Sequence, residues 1–346
     1  MRARSDEIPV SWKLAAGLGG IMLAVGARAL VRRSYALDLC GATVLITGGS
    51  RGLGLVMARQ LAARGARVAI CSRDEAQLER ARAELSSVGP PVAAVRCDLT
   101  NPHELRELVT RVRDTLGPID VLINNAGLMI ASPMQHQDEA DYHAMMDTTF
   151  WAAKRLTDLV LPDMRQRGGG RIVNISSIGG LIPAPHMASY VAAKHALLGY
   201  SRAMRIELAR ENIFVTTVAP GLMRTGSPPN VAVKGNAPAE YAWFKISDSL
   251  PLTSMSADRA AANIIDAMAH GDAELQLTLS AKLASRLYAL FPNTSARLGG
   301  LINRALPDPV GDRPMEPVQG REVETPVTLS PLGALTDRAA LRNNEL

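Results

Sequence analysis

A chain of 346 residues can hold one large α/β domain with appendages or two small domains. Hydrophobic residues make up 47% and charged residues 21%, which excludes a globally disordered chain. Thirty-eight Lys and Arg against 33 Asp and Glu leave a diffuse net +5 that suits an anionic cofactor or an acidic membrane surface; there is no dense basic stripe with interleaved aromatics, so nucleic acid is not an expected partner.

The first feature along the chain is an uncharged run from Leu14 to Ala27, with Lys13 before it and Arg28, Arg32 and Arg33 after it. A membrane span needs about 20 apolar residues, and this run reaches that length only by including Arg28 or a snorkelling Lys13. Three readings stay open for the segment 1–35. They are a membrane anchor through residues 11–31, a helix packed on the domain or a partner, and a signal cleaved near Ala27-Arg28-Ala29. In the first case the arginines place the rest of the chain on the cytoplasmic side.

From about Cys40 onward, apolar runs alternate with amphipathic stretches. Strands are expected at Thr43–Thr47, Arg67–Cys71, Val92–Cys97, Val121–Asn124, Arg171–Ser176, Phe214–Ala219 and Glu274–Leu279. Helices are expected at Leu53–Arg64, stopped by Gly65, from Asp74 to about Ser86, and from Asn101-Pro102. A helix from Asp138 to about Arg167 is expected to break at Pro162 and to end at Gly168-Gly169-Gly170. Further helices cover Ser189–Arg210 and Asp258–His270. Cys71 and Cys97 end apolar runs as small core residues, and with Cys40 they offer neither a disulfide framework nor a metal pattern.

This alternation predicts an α/β fold, a Rossmann-type doubly wound parallel sheet of about seven strands with helices on both faces. It forms a single domain over residues 36–280, with a substrate loop at 222–257. A helical extension follows at 281–306, with pieces near Lys282–Leu290 and Ser295–Ala305. The tail 307–346 holds six prolines before Leu332 and no periodicity, and reads as disordered.

The turn after the first strand carries the first chemistry. Thr47-Gly48-Gly49-Ser50-Arg51-Gly52-Leu53-Gly54 follows a strand and opens a helix, so its glycines let backbone approach a pyrophosphate at the helix N-terminus. At the end of the second strand an NAD-binding chain presents a carboxylate to the ribose 2′-hydroxyl. Here Ser72 and Arg73 stand there, with Arg51 aimed at the same region, which favours the 2′-phosphate of NADP(H) over NAD(H). Tyr190 and Lys194, four apart on a helix, share one face, and Ser177 lies upstream at a strand end. An ammonium beside a phenol favours the phenolate, and a hydroxyl nearby can hold a substrate oxygen.

The T-G-x-x-x-G-x-G turn, Asn124-Asn125-Ala126-Gly127 and the Ser177, Tyr190, Lys194 set together resemble the short-chain dehydrogenase/reductase family over roughly residues 40–280. The resemblance implies a nicotinamide-dependent oxidoreductase with Tyr190 as general acid/base, Lys194 supporting it and bonding the nicotinamide ribose, and Ser177, rather than its neighbour Ser176, holding the substrate oxygen. It implies cofactor contacts from Thr47, Gly48, Ser50, Arg51, Gly52, Leu53 and Gly54, and from Ser72 and Arg73. Asp98 and Leu99 would lie at the adenine, Asn124, Ala126 and Gly127 beside the ribose, and Pro220, Gly221 and Thr225 at the nicotinamide. The family's proton-relay asparagine is replaced by Thr149, shorter and without the amide. Met129, Met134, Met145, Ile182, Pro183, His186 and Met187 border the family's substrate pocket and suggest an apolar carbonyl or alcohol substrate, lipid-like or steroid-like. A cytoplasmic homo-oligomer is the expected setting. A nucleotide-binding regulator with little catalysis is the alternative, favoured by Thr149 and the appended regions. A nucleotide-sugar epimerase would share the Tyr-Lys pair but not the glycine spacing.

Overall fold

Seven parallel strands form the centre of the computed structural model, which describes residues 32–250, 254–331 and 333–346 together with Gly26 and Leu30. They are β1 (Thr43–Thr47), β2 (Arg67–Ser72), β3 (Ala93–Arg96), β4 (Val121–Asn124), β5 (Gly170–Ile175), β6 (Ile213–Ala219) and β7 (Glu274–Gln276). Their order is 3-2-1-4-5-6-7. Thr43 to Thr47 align with Arg67 to Cys71 on one side, and Val44 to Ile46 with Val121 to Ile123 on the other. The chain therefore winds outward from β1 to β3, then returns to β4, leaving a crevice at the carboxyl ends of β1 and β4.

Side chains alternate across a strand, so one sheet feeds two cores. Val44, Ile46, Val68 and Ile70 pack with α1 (Gly52–Ala62), α2 (Glu75–Ser86) and α8 (Ala257–Ala269). Leu45, Ala69, Cys71 and Leu122 face α3 (Pro102–Leu116) and α5 (Ala152–Gln166). α3 shows why such helices form. Asn101 accepts the His103 N–H as a cap and Pro102 occupies the first turn. Leu105, Leu108, Val109, Val112 and Leu116 make the buried stripe, and Gly117 at φ 89° ends it. Cys71 and Cys97 are buried and unpaired, and burial pushes the Cys97 thiol up to about 12.

The helix expected to break at Pro162 does not. It begins as α4 (Glu139–Met146), passes through a wider π turn at Asp147–Trp151 and continues as α5 through Pro162. Pro162 lies on the exposed face, where the carbonyl it frees can be solvated. α6 (Ala188–Glu207) follows β5, and α7 (Ala237–Ser249) folds within the 222–257 segment.

The tail departs most from its expectation. After α9 (Leu279–Leu290) and α10 (Pro292–Asn303), whose latter helix buries no residue, the chain returns along the domain instead of being disordered. Val318–Gln319 pairs with Ala232–Val233, which pairs with Ile130–Ala131. His136 accepts the Val310 N–H at 3.2 Å through Nε2 and meets the Arg313 carbonyl at 2.8 Å through Nδ1. The fully buried Lys245 pairs with Glu324 and Asp337, both at 2.8 Å, the latter on α11 (Ala334–Arg342). Prolines fail to abolish structure here because side chains of the domain, not helix periodicity, supply the partners.

The anchor, packed-helix and signal readings of residues 11–31 lie almost wholly outside the described residues. Arg32, expected to flank that segment, pairs with Asp266 at 2.7 Å and Asp272 at 2.9 Å. Among the described residues no helix is long and apolar enough to cross a membrane.

Candidate functional site

At the crevice, β1 ends in Thr47 and the chain turns through Gly48 (φ 64°) into Gly52 (φ 54°), conformations that favour glycine. A side chain on Gly54 would collide with the Gly48 carbonyl and come within 2.7 Å of Asn125 Nδ2. Asn125 closes the turn, donating to the Thr47 carbonyl at 3.0 Å and the Gly48 carbonyl at 3.2 Å. Thr47 Oγ1 accepts the Asn125 and Ala126 N–H groups, each at 3.0 Å. Only glycines fit this cradle, whose helix N-terminus faces the crevice, so its backbone suits a dinucleotide pyrophosphate.

Ser72 and Arg73 end β2, with Arg73 exposed and Ser72 Oγ accepting the Asp74 N–H at 3.3 Å. Asp98 accepts the Thr100 N–H at 2.9 Å and its hydroxyl at 2.8 Å. Burial would raise its proton affinity, but these bonds, with Arg73 and Arg96, hold the carboxyl below its ordinary range. Leu99 is buried beside it. Asn124 is committed elsewhere, donating to Asn174 at 2.8 Å in a buried chain that runs through Ser201 to Thr217. Pro220 accepts the Ile178 N–H at 2.7 Å, tying the loop after β6 to the segment bearing Ser177. A side chain on Gly221 would meet Thr278, and Thr225 is buried nearby in the chain with its hydroxyl 3.1 Å from that of Ser227.

Ser177, Tyr190 and Lys194 come together at the ends of β5 and α6. Ser177 Oγ accepts the Gly179 N–H at 3.1 Å and lies near enough to Tyr190 to lower the phenol's proton affinity. Tyr190 is 8% exposed and Lys194 5%. Lys194 Nζ donates to the Ile175 carbonyl at 2.9 Å and lies 5.7 Å from the centre of the Tyr190 ring. A side chain on Gly127 would sit 3.4 Å from the same Nζ, so the Asn-Asn-Ala-Gly loop borders the lysine. Ser176 instead donates to the Lys194 carbonyl at 2.9 Å and is buried, which separates it from its neighbour.

Burial raises the Tyr190 phenol above its ordinary value, the Ser177 hydroxyl opposes it and the Asp248 charge adds to it. Burial also lowers Lys194 to about 8. The lysine, expected to lower the phenol, is turned to the Ile175 carbonyl, and desolvation prevails at the phenol. Thr149 sits in the π turn packed near α6, 2% exposed, and its hydroxyl has no protein partner.

Sequence reasoning missed Asp248, Glu240 and Glu345. Asp248 of α7 is pushed up to about 7 by burial, against the Met223 N–H and Arg224, and its Oδ2 is buried without a partner. His186, at φ 59°, lies 2.8 Å through Nδ1 from the buried Glu240, whose other oxygen accepts the Trp243 N–H at 2.7 Å. Met145 and Met187 pack with Tyr190, Tyr241 and Phe244, while Met134 is exposed. A carboxylate also reaches Arg51, although none ends β2. Glu345, near the far end of the tail and remote in sequence, lies 3.5 Å from the Arg51 guanidinium. No local pattern announces Asp248 or Glu345, since each reaches the site through a distant segment.

Comparison with known proteins agrees with this architecture. The short chain dehydrogenase family model matches residues 42–233. The ketoacyl reductase HetN of Nostoc sp. is 40% identical over 183 residues, which are 53% of this chain and 64% of HetN. The fatty acyl-CoA reductase of Acinetobacter baylyi is 32% identical over 255 residues, 73% of this chain and 81% of that protein. L-sorbose reductase from Gluconobacter frateurii, solved with NADPH and L-sorbose, matches with a TM-score of 0.62 and 25% identity, covering 70% of this chain and 97% of its own. The match to HetN thus spans just under two thirds of that relative. With the family's sheet order, glycine cradle and matched core all in one domain, the chain belongs to the short chain dehydrogenase family of oxidoreductases.

Proposed function

We propose that the protein is an NADP(H)-dependent reductase of an apolar ketone or aldehyde, or the corresponding alcohol dehydrogenase in reverse, working through the dinucleotide. The observation that carries this reading is the meeting of Ser177, Tyr190 and Lys194 beside the glycine cradle, with Gly127 touching the lysine's position. The dinucleotide supplies or takes up the hydride. Tyr190 Oη gives a proton to the substrate oxygen in reduction and removes it in oxidation. Ser177 Oγ holds that oxygen and steadies its developing charge. Lys194, once turned toward the phenol and ribose, favours the phenolate. Arg51 and Arg73 favour a 2′-phosphate, since no carboxylate ends β2. Buried Met145, Met187 and Phe244 border Tyr190, and ketoacyl and fatty acyl-CoA reductases are among the relatives, so a substrate with an apolar chain is favoured. A cytoplasmic setting, with residues 11–31 as an anchor, and a homo-oligomeric state are carried forward as parts of the same proposal.

Two measurements test it. Titration with NADPH and NADH should give the tighter dissociation constant for NADPH, and a preference for NADH would sink the cofactor assignment. Tyr190→Phe should keep cofactor affinity within about twofold while lowering turnover of an apolar ketone by on the order of a thousandfold. A regulator with little catalysis would keep its biological activity in that variant.

A further inference from the structure

The last residues of the chain cross the crevice from wall to wall. On the side of the loop after β6, Asn343 Nδ2 donates to the Thr225 carbonyl at 2.9 Å. Asn230 Nδ2 donates to the Glu345 carbonyl at 2.9 Å and to its carboxylate at 2.8 Å. On the side of the glycine turn, the Gly52 N–H donates to the Asn343 carbonyl at 2.9 Å. Asn344 Nδ2 donates to the Ser50 and Gln77 carbonyls, both at 2.9 Å, and its Oδ1 accepts from Arg80 at 2.8 Å. Arg59 donates to Asn343 Oδ1 at 3.1 Å. Glu345 is 4% exposed, lies 3.5 Å from Arg51, and occupies the space where a side chain on Gly52 would stand.

We propose that Asn343–Leu346 form a latch on the dinucleotide groove, so that cofactor enters and leaves only while the latch is released. This inference rests on the reading that the glycine turn binds a dinucleotide. The Gly52 N–H is one of the donors that a helix N-terminus leaves free for phosphate, and the docked tail takes it. The Arg51 guanidinium, which would meet an anionic phosphate, faces the tail's carboxylate instead. Both walls of the groove are tied to the same short run, so a dinucleotide cannot thread between them while it is docked. The base of the latch is fixed separately, because α11 is held through Asp337 on the buried Lys245. The tip can therefore open by giving up local contacts without unfolding the domain. An opening that limits entry slows association in proportion to the released fraction.

Stopped-flow mixing of the full-length chain with NADPH, followed by energy transfer from tryptophan, tests the latch. The double substitution Asn344→Ala with Glu345→Ala removes contacts on both walls and should raise the association rate constant by on the order of tenfold. An unchanged rate in a variant with native circular dichroism overturns the latch. Amide hydrogen exchange of the wild-type chain gives a second readout. Protection of residues 343–346 should change when NADPH saturates the protein, and identical protection with and without it also overturns the proposal. If no variant nor the wild type binds NADPH at all, the dinucleotide reading falls and the latch falls with it, whereas normal binding with unchanged rates and protection removes the latch alone.

Discussion

Glu345 is a buried carboxyl whose proton affinity burial pushes up to about 7, with Arg51 and the Asn230 hydrogen bond opposing. Its value when docked lies above the ordinary 4.5, so the docked tail takes up protons relative to the released one. Docking is then strongest below about pH 4.5, weakens as the pH rises toward 7 and levels off above it. Arg51 from the glycine turn and Asn230 from the loop after β6 face the carboxyl. Hydrogen exchange at residues 343–346 should accordingly quicken, after correction for the intrinsic rate, between about pH 4.5 and 7. A flat profile would show that Glu345 does not control docking. Thr149 makes a second test at this scale. Its buried hydroxyl lacks a protein partner, and an amide reaches farther with both donor and acceptor. Thr149→Asn should preserve or raise kcat, by up to about tenfold. A large loss would show that threonine has a role of its own. That Tyr190 and Lys194 share a helix face was legible from their spacing, since four helical residues return to one face, while their roles rested on Ser177 and the glycine turn being in place with them. Their proton affinities were not, because burial sets both and burial belongs to the folded chain.

At the scale of elements, α3 separates the weight of core and cap. Leu108 is fully buried between the sheet and α5, so Leu108→Ala should lower stability by about 2–5 kcal/mol. Asn101→Ala removes the bond from the His103 N–H and the exposed bond to the Glu104 carboxylate, and should cost about 1 kcal/mol. Urea denaturation of both variants checks the order, and a cap loss exceeding the core loss would contradict this account of the helix. The same helix was readable in the sequence because cap, proline, apolar stripe and terminal glycine all agree. The π turn before α5 was not readable. It places Thr149 within a continuous helix, and a single wider turn leaves the apolar period almost unchanged. Pro162 misled for a related reason: a proline forbids one backbone bond, but its cost depends on whether that face of the helix meets water or core.

Across the whole molecule, the folded tail is the largest addition to the common architecture. Lys245 is fully buried yet finds Glu324 and Asp337, 24% and 40% exposed at their side chains, on two successive parts of the tail. Lys245→Met should weaken tail docking by about 2 kcal/mol, less than for a fully buried pair because both carboxylates can regain water. Limited proteolysis should then cut within residues 307–333 about tenfold faster while the sheet domain persists. Unchanged cleavage would show that the pairing and hydrogen bonds elsewhere in the tail suffice. The doubly wound sheet, the glycine turn and the relative placement of Ser177, Tyr190 and Lys194 could be read along the chain, because each rests on short-range periodicity or spacing that backbone geometry enforces. The course of residues 307–331 and 333–346, the meeting of Glu345 with Arg51 and the burial of Asp248 emerge only in the folded chain. Those contacts join residues far apart in the chain, and their free energy comes from partners and desolvation that no local pattern records.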